Sequence, residues 1–261
     1  MSDQNRYSQI IERVFLNRYR SGASIVGFSR VDIIKSAKAL RIDLPKNVGD
    51  IVYSFRYRVP LPSAIASRAG KGKVWVIRPG GSGLYRFETV VDQPILPNKA
   101  SLSIKVPNAT PGLVAKYRLS DEQALLAIVR YNRLVDIFTG VTCYSLQNHL
   151  RTAVPGMGQV ETDELYLGVD KKGCQYVFPI QAKGGRDRLS IVQIEQDLAV
   201  CAHKFHTLVC RPLAAQFAEN NVIALFEFSE TKDGVRIASE RHYKLVPPEE
   251  ISEEDIVSYR R

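Results

Sequence analysis

Asp163, Gln181 and Lys183 are the residues of this chain whose types and spacing point most directly to chemistry. In a β-strand alternate side chains share a face, so within "YVFPIQAKGG" Gln181 and Lys183 project together while Ile180 and Ala182 project into packing. On the preceding strand, "GQVETDELYLGVD", Glu161 and Asp163 are expected on one face with Leu165 and Leu167. A hairpin through the "DKKG" turn pairs the two strands antiparallel and brings Asp163 close to Gln181 and Lys183. A carboxylate, an amide oxygen and an ammonium then surround one point, with Glu161 and Glu164 at its rim. Oxygen ligands of this kind suit a hard divalent cation such as Mg²⁺, which needs one or two carboxylates completed by water and phosphate. A neighbouring lysine orients a metal-bound water and offsets phosphate charge.

Two helical segments and three strands must position these groups. The run "DEQALLAIVRYNRLVDIF" predicts one long helix over 121–139, capped by Ser120, with Leu125, Leu126, Val129, Leu134 and Ile137 on its apolar face. A shorter helix is expected near Ser145–Thr152, then strands at 159–169 and 176–183, and a helix "SIVQIEQDLAVCAHKF" over 190–206. Strands "TLVCRPLAAQF", "NVIALFEFSE" and "VRIASERHYKL" follow, then an acidic tail from Glu249 to Asp255. Pro179 removes a ladder donor, so its strand is expected to be bulged or to begin late. The glycine pair Gly184–Gly185 is read as a backbone turn beside the ligand.

Charge divides unevenly along the chain. The net charge is +9, yet residues 1–110 hold 18 Lys and Arg against 7 Asp and Glu, giving +11, and residues 111–261 give 18 − 20 = −2. A basic excess confined to the first part fits an approach to a polyanion. That part opens with an amphipathic helix, "YSQIIERVFLNRYR", a strand "ASIVGFS", and a helix capped by Ser29 that runs to about Leu40. Pro45 opens a further helix, "PKNVGDIVYSFRYR", and strands "GKVWVIRP" and "GLYRFETV" meet at a "GGSG" turn. Residues 93–120, with four prolines, read as a connector with one strand at most.

The order helix, strand, helix, helix, strand, turn, strand over about residues 5–92 resembles a winged helix–turn–helix domain. The resemblance makes the Pro45 helix the reader of base edges, through Lys46, Asn47, Asp50, Ser54 and Arg56, with Arg58 behind it. Lys71 and Lys73 stand at the entry of the first wing strand as further DNA-binding candidates. The second part resembles the PD-(D/E)xK nuclease superfamily over about residues 120–228, with Asp163 as the first acid and "Gln181-x-Lys183" in place of (Asp/Glu)-x-Lys. The resemblance implies an αβββαβ core with a central mixed sheet and Mg²⁺-dependent hydrolysis of a DNA phosphodiester. It makes Asp163 the main metal ligand, Gln181 the donor of a side-chain oxygen, and Lys183 the group that positions the attacking water. Gln181 departs from the usual acid and removes one negative charge, which Glu161 or Glu164 would have to supply. Asp136 lies on the helix that contributes another acid in some members, and is read here as a surface or capping residue.

The expectation is therefore an α/β protein in three parts: a winged-helix DNA-reading domain over 1–95, a connector over 96–119, and a nuclease domain over 120–261. Its expected activity is that of a type II restriction endonuclease, working as a homodimer on double-stranded DNA beside a cognate DNA methyltransferase. Two alternatives stand beside it: a methylation- or structure-directed nuclease of repair or phage defence, and a non-catalytic winged-helix regulator with a decayed nuclease core. Cys143, Cys174, Cys201 and Cys210 form no CxxC pair and read as reduced thiols. His203 and His206 read as a helix-end pair, since no second Cys or His pair accompanies them. The absence of an apolar leader at "MSDQNRYSQI" fits a prokaryotic cytoplasmic, DNA-associated protein.

Overall fold

The computed structural model describes residues 6–93, 95–117, 121–184, 189–232 and 234–260. Two compact units emerge, one formed by residues 1–94 with 153–160 and the other by 95–152 with 161–261. No helix among the described residues is long and apolar enough to cross a membrane.

The first unit runs α1 (Arg6–Arg18), β1 (Ile25–Ser29), α2 (Arg30–Leu40), α3 (Gly49–Tyr57), α4 (Ser63–Ala66), β2 (Lys73–Pro79) and β3 (Leu84–Val91). Ser29 caps α2 through a reciprocal box with Asp32, whose carboxylate also takes the Ser29 backbone N–H at 2.8 Å. The three strands form an antiparallel sheet in the order β1-β3-β2. Its core gathers Ile10, Ile11, Val14 and Phe15 of α1 against Ile51 and Phe55 of α3 and Trp75, Ile77 and Phe87 of the sheet. The helix expected from Pro45 starts only at Gly49. Asn47 explains the delay, because its side chain folds back to accept from the Gly49 N–H and donate to Asp50.

The second unit contains β4 (Ser103–Pro107), α5 (Gly112–Tyr117), α6 (Glu122–Tyr131), α7 (Leu134–Thr139), β5 (Thr142–Val154), β6 (Gly158–Val169) and β7 (Gln175–Lys183). It continues with α8 (Ile191–Lys204), β8 (Val209–Cys210), β9 (Leu213–Phe217), β10 (Val222–Thr231), β11 (Gly234–Val246) and α9 (Glu253–Ser258). One mixed eight-stranded sheet carries them in the order β4-β11-β10-β9-β7-β6-β5, with β8 also on β7. β6 and β7 are antiparallel, while β7 and β9 are parallel. Leu125, Leu126 and Val129 of α6 pack on one face against Tyr166, Phe178 and Ile180. On the other face Ile194 of α8 lies with Ala214 and Phe226, and Cys201 with Leu165 and Val177.

Three expectations are corrected. The segment 145–152 is extended, not helical, because the turn at Pro155–Gly158, with Gly156 and Gly158 at positive φ, folds β5 back along β6. Strand pairing outweighs the weak local helical pattern. The long helix over 121–139 breaks at Asn132–Arg133, and Arg133 takes φ 49°. Buried Asn132 holds the break by bonding the Ala109 N–H, the Thr110 hydroxyl and the Ile128 carbonyl. Past it, Ile137 is exposed. Asp121 caps α6, accepting from the Ala124 N–H at 2.9 Å; the expected cap, Ser120, and Gly185 lie outside the described residues. Finally, β7 runs straight through Pro179, in register with Leu165. Its other neighbours, β8 and β9, part at Arg211–Pro212 beside this residue, so no ladder donor is missed there.

Candidate active site

The regular pairing of β6 with β7 ends at Glu164 opposite Ile180. Beyond that point the Asp163 carboxylate takes the Ala182 N–H at 2.9 Å. Strict alternation would send Thr162 to the α6 face with Glu164 and Tyr166. Its hydroxyl instead reaches Asp197 of α8 at 2.6 Å, so the alternation breaks at Asp163.

Asp163 bonds the backbone N–H of Ala182, next to Lys183, and lies within electrostatic range of the Lys183 ammonium; no ion pair joins the two among the described residues. The Lys183 ammonium draws the Asp163 carboxyl down, as does the Ala182 N–H, but burial is the largest influence and raises it overall. A further upward push comes from Glu122, in the first turn of α6, and a further downward one from His149. Among the described residues no hydrogen bond engages the second oxygen of Asp163, the Glu122 carboxylate or the Lys183 ammonium.

The other predicted ligands are engaged elsewhere. Gln181 is 1% exposed; its amide donates to both oxygens of Asp197 and to the Glu161 carbonyl, and its oxygen accepts from Gln193 at 3.0 Å. Glu164 is fully buried and holds Arg130 at 2.8 Å and the Ser145 hydroxyl at 2.6 Å. Glu161 is half-buried beside Arg151 at 3.2 Å and His149 at 3.5 Å. Asp136 pairs with Arg133 and accepts the Cys143 N–H at 2.9 Å, tying α7 to the start of β5.

Two acids that matter here were not singled out from the sequence. Glu122 appeared only as one of two acids in a helix start, a pattern that normally answers the helix dipole. Asp197 sits mid-helix, in a stretch whose polar residues look solvated. Buried completely, its carboxyl is pushed up to about 8, mainly by desolvation and further by Asp163, against the opposing bonds from Thr162 and Gln181. It is therefore largely protonated at neutral pH.

Of the residues expected on the reading helix, Ser54 lies within α3 and is half-buried, while Lys46 and Asn47 precede the helix and Arg58 follows it, all three exposed. Tyr53 and Tyr57 stack edge to face at 4.8 Å, with Arg58 over Tyr53 at 5.3 Å and Arg56 over Tyr57 at 4.8 Å. Arg56 is half-buried, and its Nε and Nη2 are shut from solvent with no partner among the described residues. Burial pushes its guanidinium below the usual value, against the pull of Tyr57, Tyr85 and Tyr53. Lys71 and Lys73 are exposed where the chain enters β2.

Asp163 is a partly desolvated carboxylate with one oxygen free of hydrogen bonds among the described residues, the donor type a hard cation takes. No cluster of three His, Cys, Asp or Glu converges among the described residues, so water and phosphate would complete the coordination. No protein-family model, no curated protein and no solved structure matches this chain.

Proposed function

We propose that the chain is a Mg²⁺-dependent, sequence-specific double-stranded DNA endonuclease of the type II restriction kind. The observation that supports this reading is the Asp163 carboxylate at the end of the β6–β7 pair, bonded to the Ala182 N–H next to Lys183 and within electrostatic range of Lys183 and Glu122. The order α6/α7–β5–β6–β7–α8–β9, with β7 parallel to β9, supports it as the αβββαβ arrangement implied by the resemblance. The β1-β3-β2 sheet with helices α1–α4 supports a winged-helix reader in the same way.

Asp163 and Glu122 would hold the metal. A divalent cation held there would supply Lewis-acid polarisation of a phosphoryl oxygen and activation of water. Lys183 would orient the attacking water and offset the charge that builds on the phosphate. Lys46, Arg58, Lys71 and Lys73 supply phosphate contacts and hence a salt-dependent affinity.

The test is plasmid digestion with and without Mg²⁺, by the native protein and by Asp163→Ala and Lys183→Ala. Discrete fragments are expected only from native protein with metal, and each substitution is expected to reduce cleavage by about 10²–10³-fold. Undiminished cutting by Lys183→Ala overturns the assignment. A second reading, a non-catalytic DNA-binding regulator, draws on Gln181, whose oxygen is turned to Gln193 rather than outward. It predicts no cutting by any form together with DNA binding by all of them.

A further inference from the structure

The two edges of the eight-stranded sheet are finished differently. β4 carries Lys105 and Pro107 within five residues, both of which discourage strand addition. Its Lys105 N–H is taken by the Tyr259 hydroxyl at 3.0 Å, and the Lys105 ammonium holds Asp255 of α9 at 2.9 Å. The opposite edge, β5, spans thirteen residues with neither lysine nor proline. Asp136 takes the Cys143 N–H at one end, and left-handed His149, at φ 49°, interrupts the strand further along. Between them, "YSLQN" from Tyr144 to Asn148 is uncharged and exposed throughout. Among the described residues, no backbone group of this stretch bonds outside the β5–β6 ladder.

We propose that this free edge pairs antiparallel with β5 of a second copy, about a two-fold axis at Leu146. The stretch is its own complement. Leu146 faces Leu146, Ser145 faces Gln147, and Tyr144 faces Asn148, with no like charges opposed. Tyr144 and Leu146, 62% and 51% exposed, share a face, so four apolar side chains meet across the axis. Five paired residues bury less than the roughly 1,200 Å² of a stable complex, so the dimer is concentration-dependent. The pairing rests on β5 alone and stands apart from the nuclease reading.

Sedimentation velocity on the full chain over a concentration series tests this. The native protein and Asp163→Ala are expected to move from the 29.3 kDa chain mass toward twice that value. Leu146→Lys is expected to associate about a hundredfold more weakly with unchanged circular dichroism, and mixing it with Leu146→Glu should restore the pair. A native monomer at every concentration overturns the proposal, as does a Leu146→Lys dimer of native strength or a mixture that stays monomeric. Dimerisation without cleavage would sink only the nuclease reading; cleavage by a persistent monomer would sink only the pairing.

Discussion

The side-chain amide of Gln181 donates to both carboxylate oxygens of Asp197, at 3.1 and 3.0 Å, and its own oxygen is held by Gln193. The residue that stands where the nuclease motif has an acid is thus a tie between β7 and α8. It fixes the end of the strand that carries Lys183 without itself reaching toward a metal.

Restoring the motif's acid by Gln181→Glu should therefore harm the protein. Glutamate has no N–H to give Asp197, and it places a second buried carboxyl beside the first. The expected cost is about 1–3 kcal/mol of stability, read as a lower Tm, with no gain in Mg²⁺ affinity or cleavage. Tighter metal binding by this variant would show that position 181 faces the metal after all.

Asp197 gives stability a defined pH dependence. Its folded pKa, about 8, lies above the ordinary value of 3.8, so the folded state binds the proton more tightly than the unfolded chain. The contribution is fully present below about pH 4 and is lost as pH rises toward 8. Asp197→Asn keeps the shape of the protonated acid and does not titrate. Between pH 5 and 8 the Tm of the native protein should fall relative to that of Asp197→Asn, as followed by differential scanning calorimetry. Parallel curves would place the Asp197 pKa near its ordinary value.

Glu122 and Glu164 should fail in different ways. Glu122 has no hydrogen-bond partner among the described residues and adds its charge at Asp163, so Glu122→Gln should weaken Mg²⁺-dependent cleavage at unchanged Tm. Glu164 is fully buried on Arg130, so Glu164→Gln should lower Tm by weakening the compensation of that cation, at a cost of roughly 1–3 kcal/mol. Paired melting curves and cleavage rates separate the two, and the reverse pattern would exchange their roles.

Much of the arrangement was legible because it depends on local signals. The "DKKG" turn, the Ser29 capping box and the apolar alternation of "VFPIQAK" each act over a few residues, and each formed as read. What escaped the sequence depends on partners far along the chain. Thr162 turns away from the α6 face only because Asp197 waits on α8, 35 residues later. The segment 145–152 is a strand because β6 pairs with it, and Asn132 breaks its helix by bonding back to residues 109 and 110. Spacing in the sequence singles out Asp163 and Lys183 as candidates, whereas the influence of Glu122 on Asp163 depends on which helix end lies near β6.

Arg56 and Arg58 are close in sequence on the proposed reading helix, and their settings predict opposite consequences. Arg58 is exposed over Tyr53, so Arg58→Ala should leave Tm unchanged, weaken DNA binding across sequences, and reduce the slope of log K against log salt by about 1. Arg56 keeps two N–H groups buried without partners, and burial already disfavours its charge. Replacing it by methionine preserves most of the volume and removes the desolvated donors, so Arg56→Met should raise stability by roughly 1 kcal/mol. Thermal melts with fluorescence anisotropy at several salt concentrations check both. A lower Tm for Arg56→Met would mean that the stacking on Tyr57 outweighs the cost of the orphaned donors.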